Sequence, residues 1–205
     1  MRYILCPKCE VNYMSEEQEI CDICRQKEDK PMQQYSQPVF VNKEAIRYPK
    51  MVYKQRFFYV FQGGDFEDES ANGYIFAPKF SRNHHWNRVA DVDPGNIIFH
   101  AYSGYIKAIS IATSKPYNYF RNGEQGNRVD CSYVLLQYPL DTKLYKTEIL
   151  EYSNDYSPFN KHGTGNQGYL FDINNTLSSI FIEDISINNP NNKHLQNLIQ
   201  ILTAN

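Results

Sequence analysis

The 205-residue sequence predicts an α+β domain: a curved sheet or small β-barrel flanked by short helices, preceded by a small cysteine-rich module. Three observations carry this expectation. Short apolar runs bounded by turn residues recur through the middle of the chain. Helical periodicity is confined to its C-terminal part, and four cysteines form two C-x-x-C pairs near the start.

Residues 1–30 hold those pairs, Cys6 and Cys9 in CPKC and Cys21 and Cys24 in CDIC, with eleven residues between them. Each C-x-x-C knuckle presents two thiolates to one side of a tight turn. Two knuckles complete a tetrahedral four-sulfur site of the kind zinc favours. So polar a segment cannot build a core alone, and metal binding would supply on the order of 10 kcal/mol of folding free energy. Four thiolates leave no open position, so the expected zinc is structural. A redox reading of C-x-x-C needs a βαβ context that this segment lacks.

Residues 31–50 are punctuated by proline and read as a linker or arm. The main domain is expected over 51–185. FFYVFQ (57–62) reads as a strand ended by Gly63-Gly64, and NIIFHAY (96–102) follows an Asp-Pro-Gly turn. Ser103-Gly104 joins that run to YIKAISIA (105–112) as a hairpin. VDCSYVLLQY (129–138) is a further strand, rich in β-branched and aromatic residues. It carries Cys131, read as a small buried hydrophobe. Leu177, Ile180 and Phe181 follow Asn174-Asn175 at helical spacing, with asparagine as cap. Leu195, Leu198, Ile199 and Leu202 share one helical face, which places a terminal helix in 186–205.

A hydrophobic share of 41% with 21% charged residues is globular composition. Aromatic residues reach 15%, with 17 Tyr, which suits both strands and binding surfaces. A net charge of −2 gives no global attraction to nucleic acid or anionic membrane, so a polyanion site must come from local segregation of charge. No apolar run approaches the roughly 20 residues of a membrane span. The start is too polar for a secretory signal, and a cytoplasmic location without membrane partners is expected.

Charge segregation is found where the aromatics are. No acidic residue occurs from Ser70 to Ala90, and GYIFAPKFSRNHHW (73–86) holds the chain's single tryptophan. Tyr74, Phe76 and Trp86 are candidates to stack a flat base, and Lys79, Arg82 and Arg88 to neutralise phosphates. At least one of Tyr74 and Phe76 should pack inward if they alternate along a strand. A second basic block runs from Lys43 through Arg47, Lys50, Lys54 and Arg56. YSPFNKHGTGNQGYLF (156–171) adds Asn160, Lys161, Asn166 and Gln167 among three glycines, a loop suited to anions or base edges and equally to turning a corner. It is not a Walker loop, since no Gly-Lys-Ser/Thr run follows.

FFYVFQ, GYIFAPK, HHW, DVDPGNIIFHAYSGYIKAISIA, RVDCSYVLL and YSPFNKHGTGNQGYLF occur in that order. In this series the chain resembles the EVE-like branch of the PUA-like superfamily, related to YTH domains, over roughly residues 55–185. It is similar in particular to the modified-base readers of modification-dependent restriction systems. The resemblance implies a sheet closing toward a barrel, and a flipped, modified base, often a modified cytosine of DNA, in an aromatic pocket. It implies Phe76, Trp86 and Tyr74 as pocket walls, with Gln62, Ala77 and Ser103 beside the base and Gln62 reading its edge. YTH relatives carry a cage tryptophan in a glycine-aromatic phrase that here reads Gly73-Tyr74-Ile75-Phe76. A nuclease or motor module often accompanies such readers.

Catalysis by this chain alone is not expected. Restriction-type chemistry wants an acid-x-Lys triplet at a strand end, and Glu28-Asp29-Lys30 and Asp141-Thr142-Lys143 are poorly placed for it. The acidic cluster Asp65, Glu67, Asp68 and Glu69 reads as a solvated loop. The expected function is a reader of modified double-stranded DNA serving a restriction system. The alternatives are an RNA-binding relative of the same fold, a zinc-containing endonuclease, and a protein-interaction adaptor built on the zinc ribbon.

Overall fold

A computed structural model describes residues 3–5, 13–15, 56–79, 84–153 and 156–203. The chain folds as two units, residues 1–43 and 44–205. In the first, β1 (Tyr3–Leu5) and β2 (Tyr13–Ser15) pair antiparallel with Tyr3 opposite Ser15. The four cysteines expected to bind zinc, Arg82, and the residues of the basic block before Arg56 lie outside the described residues.

The second unit is α+β, a curled sheet with short helices. In chain order come β3 (Phe57–Phe61), α1 (Phe66–Asn72), β4 (Tyr74–Pro78), α2 (His84–Asn87), β5 (Ile97–Tyr102) and β6 (Tyr105–Ala112). Then follow β7 (Tyr117–Arg121), β8 (Glu124–Asp141), α3 (Lys146–Tyr152), β9 (Leu170–Asp172), α4 (Asn175–Asn188) and α5 (Lys193–Thr203). Sheet order is β4-β8-β6-β5-β3-β9, with β7 on the other side of β8.

The uninterrupted apolar run of β3 has a physical cause. β3 lies between β5, its parallel neighbour, and β9, and both of its faces are buried. Phe57 and Tyr59 face a core shared with Phe99, Ile149, Phe181, Leu195 and Leu202, so α3, α4 and α5 cover that side. Phe58 and Val60 face a second core with Ile75, Val89, Val129 and Leu170. α5 thus belongs to the main core, and the boundary expected after residue 185 falls inside α4.

Curvature comes from irregular register and from one long strand. The β5–β6 pairing shifts between His100 and Ala101, and the β6–β8 pairing between Ile106 and Ala108. β8 is longer than the 129–138 expected from its apolar residues. Its first part lies between β4 and β7 and its second part pairs with β6, so one strand turns the corner of the sheet.

Local signals close the helices. Asn174 accepts hydrogen bonds from the amides of Thr176 and Leu177 at 2.7 and 3.4 Å, the expected cap. Gly73, with φ 67°, ends α1 in the left-handed conformation and turns the chain directly into β4. Among the described residues no helix is long and apolar enough to cross a membrane.

Candidate functional site

β4, the first part of β8, and β7 form a three-stranded ribbon whose alternate residues share one face. Pairing sets Phe76 opposite Arg128 and Pro78 opposite Gly126 on one side of β8, and Tyr117 opposite Arg128 and Tyr119 opposite Gly126 on the other. With Tyr74, Asp130 and Arg121 at the same alternation, the face is a patchwork of rings and guanidinium groups. The Arg128 guanidinium lies 4.2 Å from the centre of the Tyr74 ring and 4.7 Å from that of Tyr119. Arg121 lies 4.6 Å over the ring of Phe76. A planar cation over an aromatic face is held by the ring quadrupole, and the same flat seat accepts a planar heterocycle.

Gly126 makes this packing possible. A side chain there would meet the Phe76 ring at 2.5 Å and the Ala77 carbonyl at 2.3 Å, so only glycine lets the ring lie across β8.

α1 closes the face with acids. Arg121 donates to Glu69 at 3.1 Å and lies 3.3 Å from Asp65 and 4.0 Å from Asp68, while the Tyr74 hydroxyl donates to Asp68. Of the cluster read from sequence as a solvated loop, Asp65, Glu67 and Asp68 are exposed as expected, and the reading is corrected for the helical conformation of residues 66–72 and for Glu69. Phe66 and Glu69 stand three apart on one helical face and both are buried, and Glu69 has 0% of its surface exposed.

Behind the rings runs a buried polar chain. The carboxylate of Glu69 accepts from Gln62 (2.5 Å), the Tyr169 hydroxyl (2.6 Å) and the Phe76 amide (3.2 Å) as well as from Arg121. The Gln62 amide nitrogen also donates to the Tyr133 hydroxyl at 3.0 Å, and that hydroxyl donates to the Tyr74 carbonyl at 2.8 Å. The Gln62 amide oxygen therefore faces Nδ1 of His100 at 2.9 Å, which must carry the proton. Nε2 then accepts from the Ser110 hydroxyl at 2.7 Å. Burial holds His100 well below its ordinary value, in keeping with this neutral tautomer. Burial also pushes the Glu69 carboxyl up to about 7, against the hydrogen bonds from Gln62 and Tyr169 and the charge of Arg121. Cys131, pushed up to about 12 chiefly by burial, is the inert thiol expected in β8.

The pocket expected from Phe76 and Trp86 is corrected. Phe76 is 2% exposed and Tyr74 4%, so neither forms the wall of an open slot, and Ala77 is buried with them. Trp86 is half-buried and stacks on Tyr169 with ring centres 5.5 Å apart, whereas the ring partner of Phe76 is Tyr119 at 6.2 Å. The solvent-facing rings of the patch are instead Tyr117 (39% exposed) and Tyr119 (37%). Gln62 is buried and commits its amide to Glu69, Tyr133 and His100, so it orients the carboxylate and does not face a ligand. Ser103 is exposed in the β5–β6 turn at φ 53°, outside this network.

The expected backbone-contacting residues separate in the same way. Lys79 donates to Asn118 of β7 and so borders the patch. Arg88 is tied to Asp172, which also holds Arg56 at 2.7 Å, and it lines a shallow open cleft with Asn87, Asp91 and Tyr156. Asn160 folds its own loop, accepting from the amides of His162 and Thr164, and Asn166 donates to the Ser157 carbonyl at 2.8 Å. Lys161 and Gln167 are exposed.

No protein-family model and no curated protein matches the chain. Among solved structures, a Pseudomonas putida protein is similar at 12% identity over 63% of this chain and 99% of its own, with a TM-score of 0.47. The Pho92 YTH domain, solved in complex with m6A, is similar at 11% identity over 67% of this chain and 87% of its own, TM-score 0.44. The Toxoplasma CPSF4-YTH domain, in apo form, is similar at 10% identity over 68% of this chain and 92% of its own, TM-score 0.45.

Proposed function

We propose that this chain is a nucleic-acid reader that stacks a modified base of DNA on the β4-β8-β7 face and serves a restriction-type defence system. One observation carries the reading. Guanidinium groups rest on the rings of this face, Arg128 on both Tyr74 and Tyr119 and Arg121 on Phe76, flat cations on seats that a flat base would fill. Tyr119 supplies an accessible stacking surface, and Lys79 and Arg128 supply charge for the flanking phosphates. Such a face binds; it offers no nucleophile or metal-centred chemistry of its own, and cleavage would fall to a separate nuclease or motor module. The resemblance of its sequence phrases to those of modification-dependent restriction readers supports modified duplex DNA as the partner.

Titration of the full chain with matched modified and unmodified duplexes and with single-stranded RNA tests this. The modified duplex should bind more tightly, and Tyr119→Ala should weaken that binding by about 1–3 kcal/mol, roughly fivefold to 150-fold. Equal affinity for the two duplexes would remove the claim of modification reading, and preference for RNA would move the reader to that polymer.

Ahead of the reader, Cys6, Cys9, Cys21 and Cys24 hold a structural zinc in a small ribbon. Stripping zinc with a chelator should unfold residues 1–30 and leave the melting of residues 44–205 unchanged. A protein purified from zinc-replete cells without bound zinc would contradict the four-thiolate site.

A further inference from the structure

Arg121 ends β7, a strand paired only with β8 among the described residues, and the next two residues form the Asn122-Gly123 turn. Its guanidinium nevertheless reaches inward. It stacks over the Phe76 ring at 4.6 Å, donates to Glu69 at 3.1 Å and to the Tyr74 hydroxyl at 3.4 Å, and lies 3.3 Å from Asp65. Of the four donors on the Glu69 carboxylate, Gln62, Tyr169 and the Phe76 amide belong to the buried core. Arg121 alone is a partly exposed side chain at the end of a strand, beside a turn, so it is the donor that can leave without opening the domain.

We propose that Arg121 is a built-in occupant of a flat seat over Phe76 on this same face, displaced from Glu69 when a ligand base enters, and that Glu69 thereby selects bases carrying an amino group. This inference rests on the reader function proposed above. A guanidinium group is a flat fork of N–H donors stacked on a ring and bonded edge-on to a carboxylate. A nucleobase with an exocyclic amino group makes the same pair of contacts, face to ring and N–H to carboxylate. A thymine-type or uracil-type base brings one imino N–H flanked by two carbonyl oxygens, whose lone pairs would face the buried carboxylate and make it a poorer replacement for the guanidinium. Adenine-type and cytosine-type bases, including modified forms that keep an amino N–H, therefore fit the seat better than thymine-type or uracil-type bases.

The occupant also lowers apparent affinity, because part of the ligand's binding free energy goes into displacing it. The test uses the full chain and four duplexes that differ at one central base: N6-methyladenine, 5-methylcytosine, 5-hydroxymethylcytosine and 5-hydroxymethyluracil. Wild-type protein should bind one or more of the amino-bearing bases and discriminate against 5-hydroxymethyluracil. Arg121→Met keeps the bulk over Phe76 and loses the donors, and it should tighten binding of the preferred base about tenfold. Arg121→Lys, which keeps the charge and loses the planar fork, should show a smaller gain and serves if the methionine variant does not fold. Unchanged or weaker binding by the variants, with wild-type binding intact, overturns the inference and leaves the reader function standing. Preference for 5-hydroxymethyluracil overturns the amino selection. Absence of binding to any duplex by wild type and variants alike overturns both.

Discussion

Phe76→Ala is expected to lower the unfolding free energy of residues 44–205 by about 3–5 kcal/mol, the cost of truncating a buried aromatic side chain. The ring is enclosed on every side. Tyr119 meets it edge-on, Arg121 lies above it, and Gly126 leaves it just enough room across β8. Truncation would leave a cavity at the junction of β4, β7 and β8 and remove the surface on which Arg121 stacks. Denaturant unfolding measures this directly. A loss under about 1 kcal/mol would mean that the ring faces solvent, contrary to its burial. Tyr119→Ala gives the contrast. That ring is partly exposed, so its loss should change stability little and appear in binding.

Glu69→Gln should change how stability depends on pH. Burial raises the folded-state carboxyl to about 7 from its ordinary value of 4.5, so the folded protein holds a proton that the unfolded chain releases earlier. Folding is therefore favoured by this group at low pH, and stability falls as pH rises from about 4.5 to about 7. That shift corresponds to about 3 kcal/mol. The groups facing Glu69 are Gln62 from the end of β3, the amide of Phe76 from β4, Arg121 from β7, Tyr169 beside β9, and Asp65 at the start of its own helix. His100 acts in the opposite sense, since its depressed value removes stability as pH falls below 6.5. Glutamine at position 69 deletes the Glu69 contribution and keeps that of His100. Relative to the variant, the wild type should lose about 3 kcal/mol between pH 4.5 and 7.5. Parallel stability curves for the two proteins would show that Glu69 titrates as an ordinary surface carboxyl.

Elements with strong local signals were legible in the sequence. β3, the β5–β6 hairpin and α4 each combine an apolar pattern with a turn or cap at a defined position, and the structure places them there. β7 was not, because Tyr117–Arg121 lies at a sheet edge and lacks the apolar alternation of a half-buried strand. The Asn122-Gly123 pair, with φ of 48° and 86°, is the signal that marks its hairpin. Glu69 was hidden for another reason. It stands in a run of four acids among five residues, and only the three-residue spacing from Phe66 distinguishes it from its solvated neighbours. Composition drew attention to Tyr74 and Phe76. It could not show that their partners, Arg121 and Arg128, come from 45 or more positions further along the chain, because strand pairing across β8 is a tertiary fact.

Side-chain NMR of the full chain during titration with a modified duplex tests the central claim most directly. Binding at the β4-β8-β7 face predicts that the ring signals of Tyr119 and Tyr117 and the guanidinium signals of Arg128 and Arg121 shift together and saturate at one ligand concentration. Shifts confined to Tyr156 and Arg88 at the separate cleft, with the ribbon unperturbed, would contradict it.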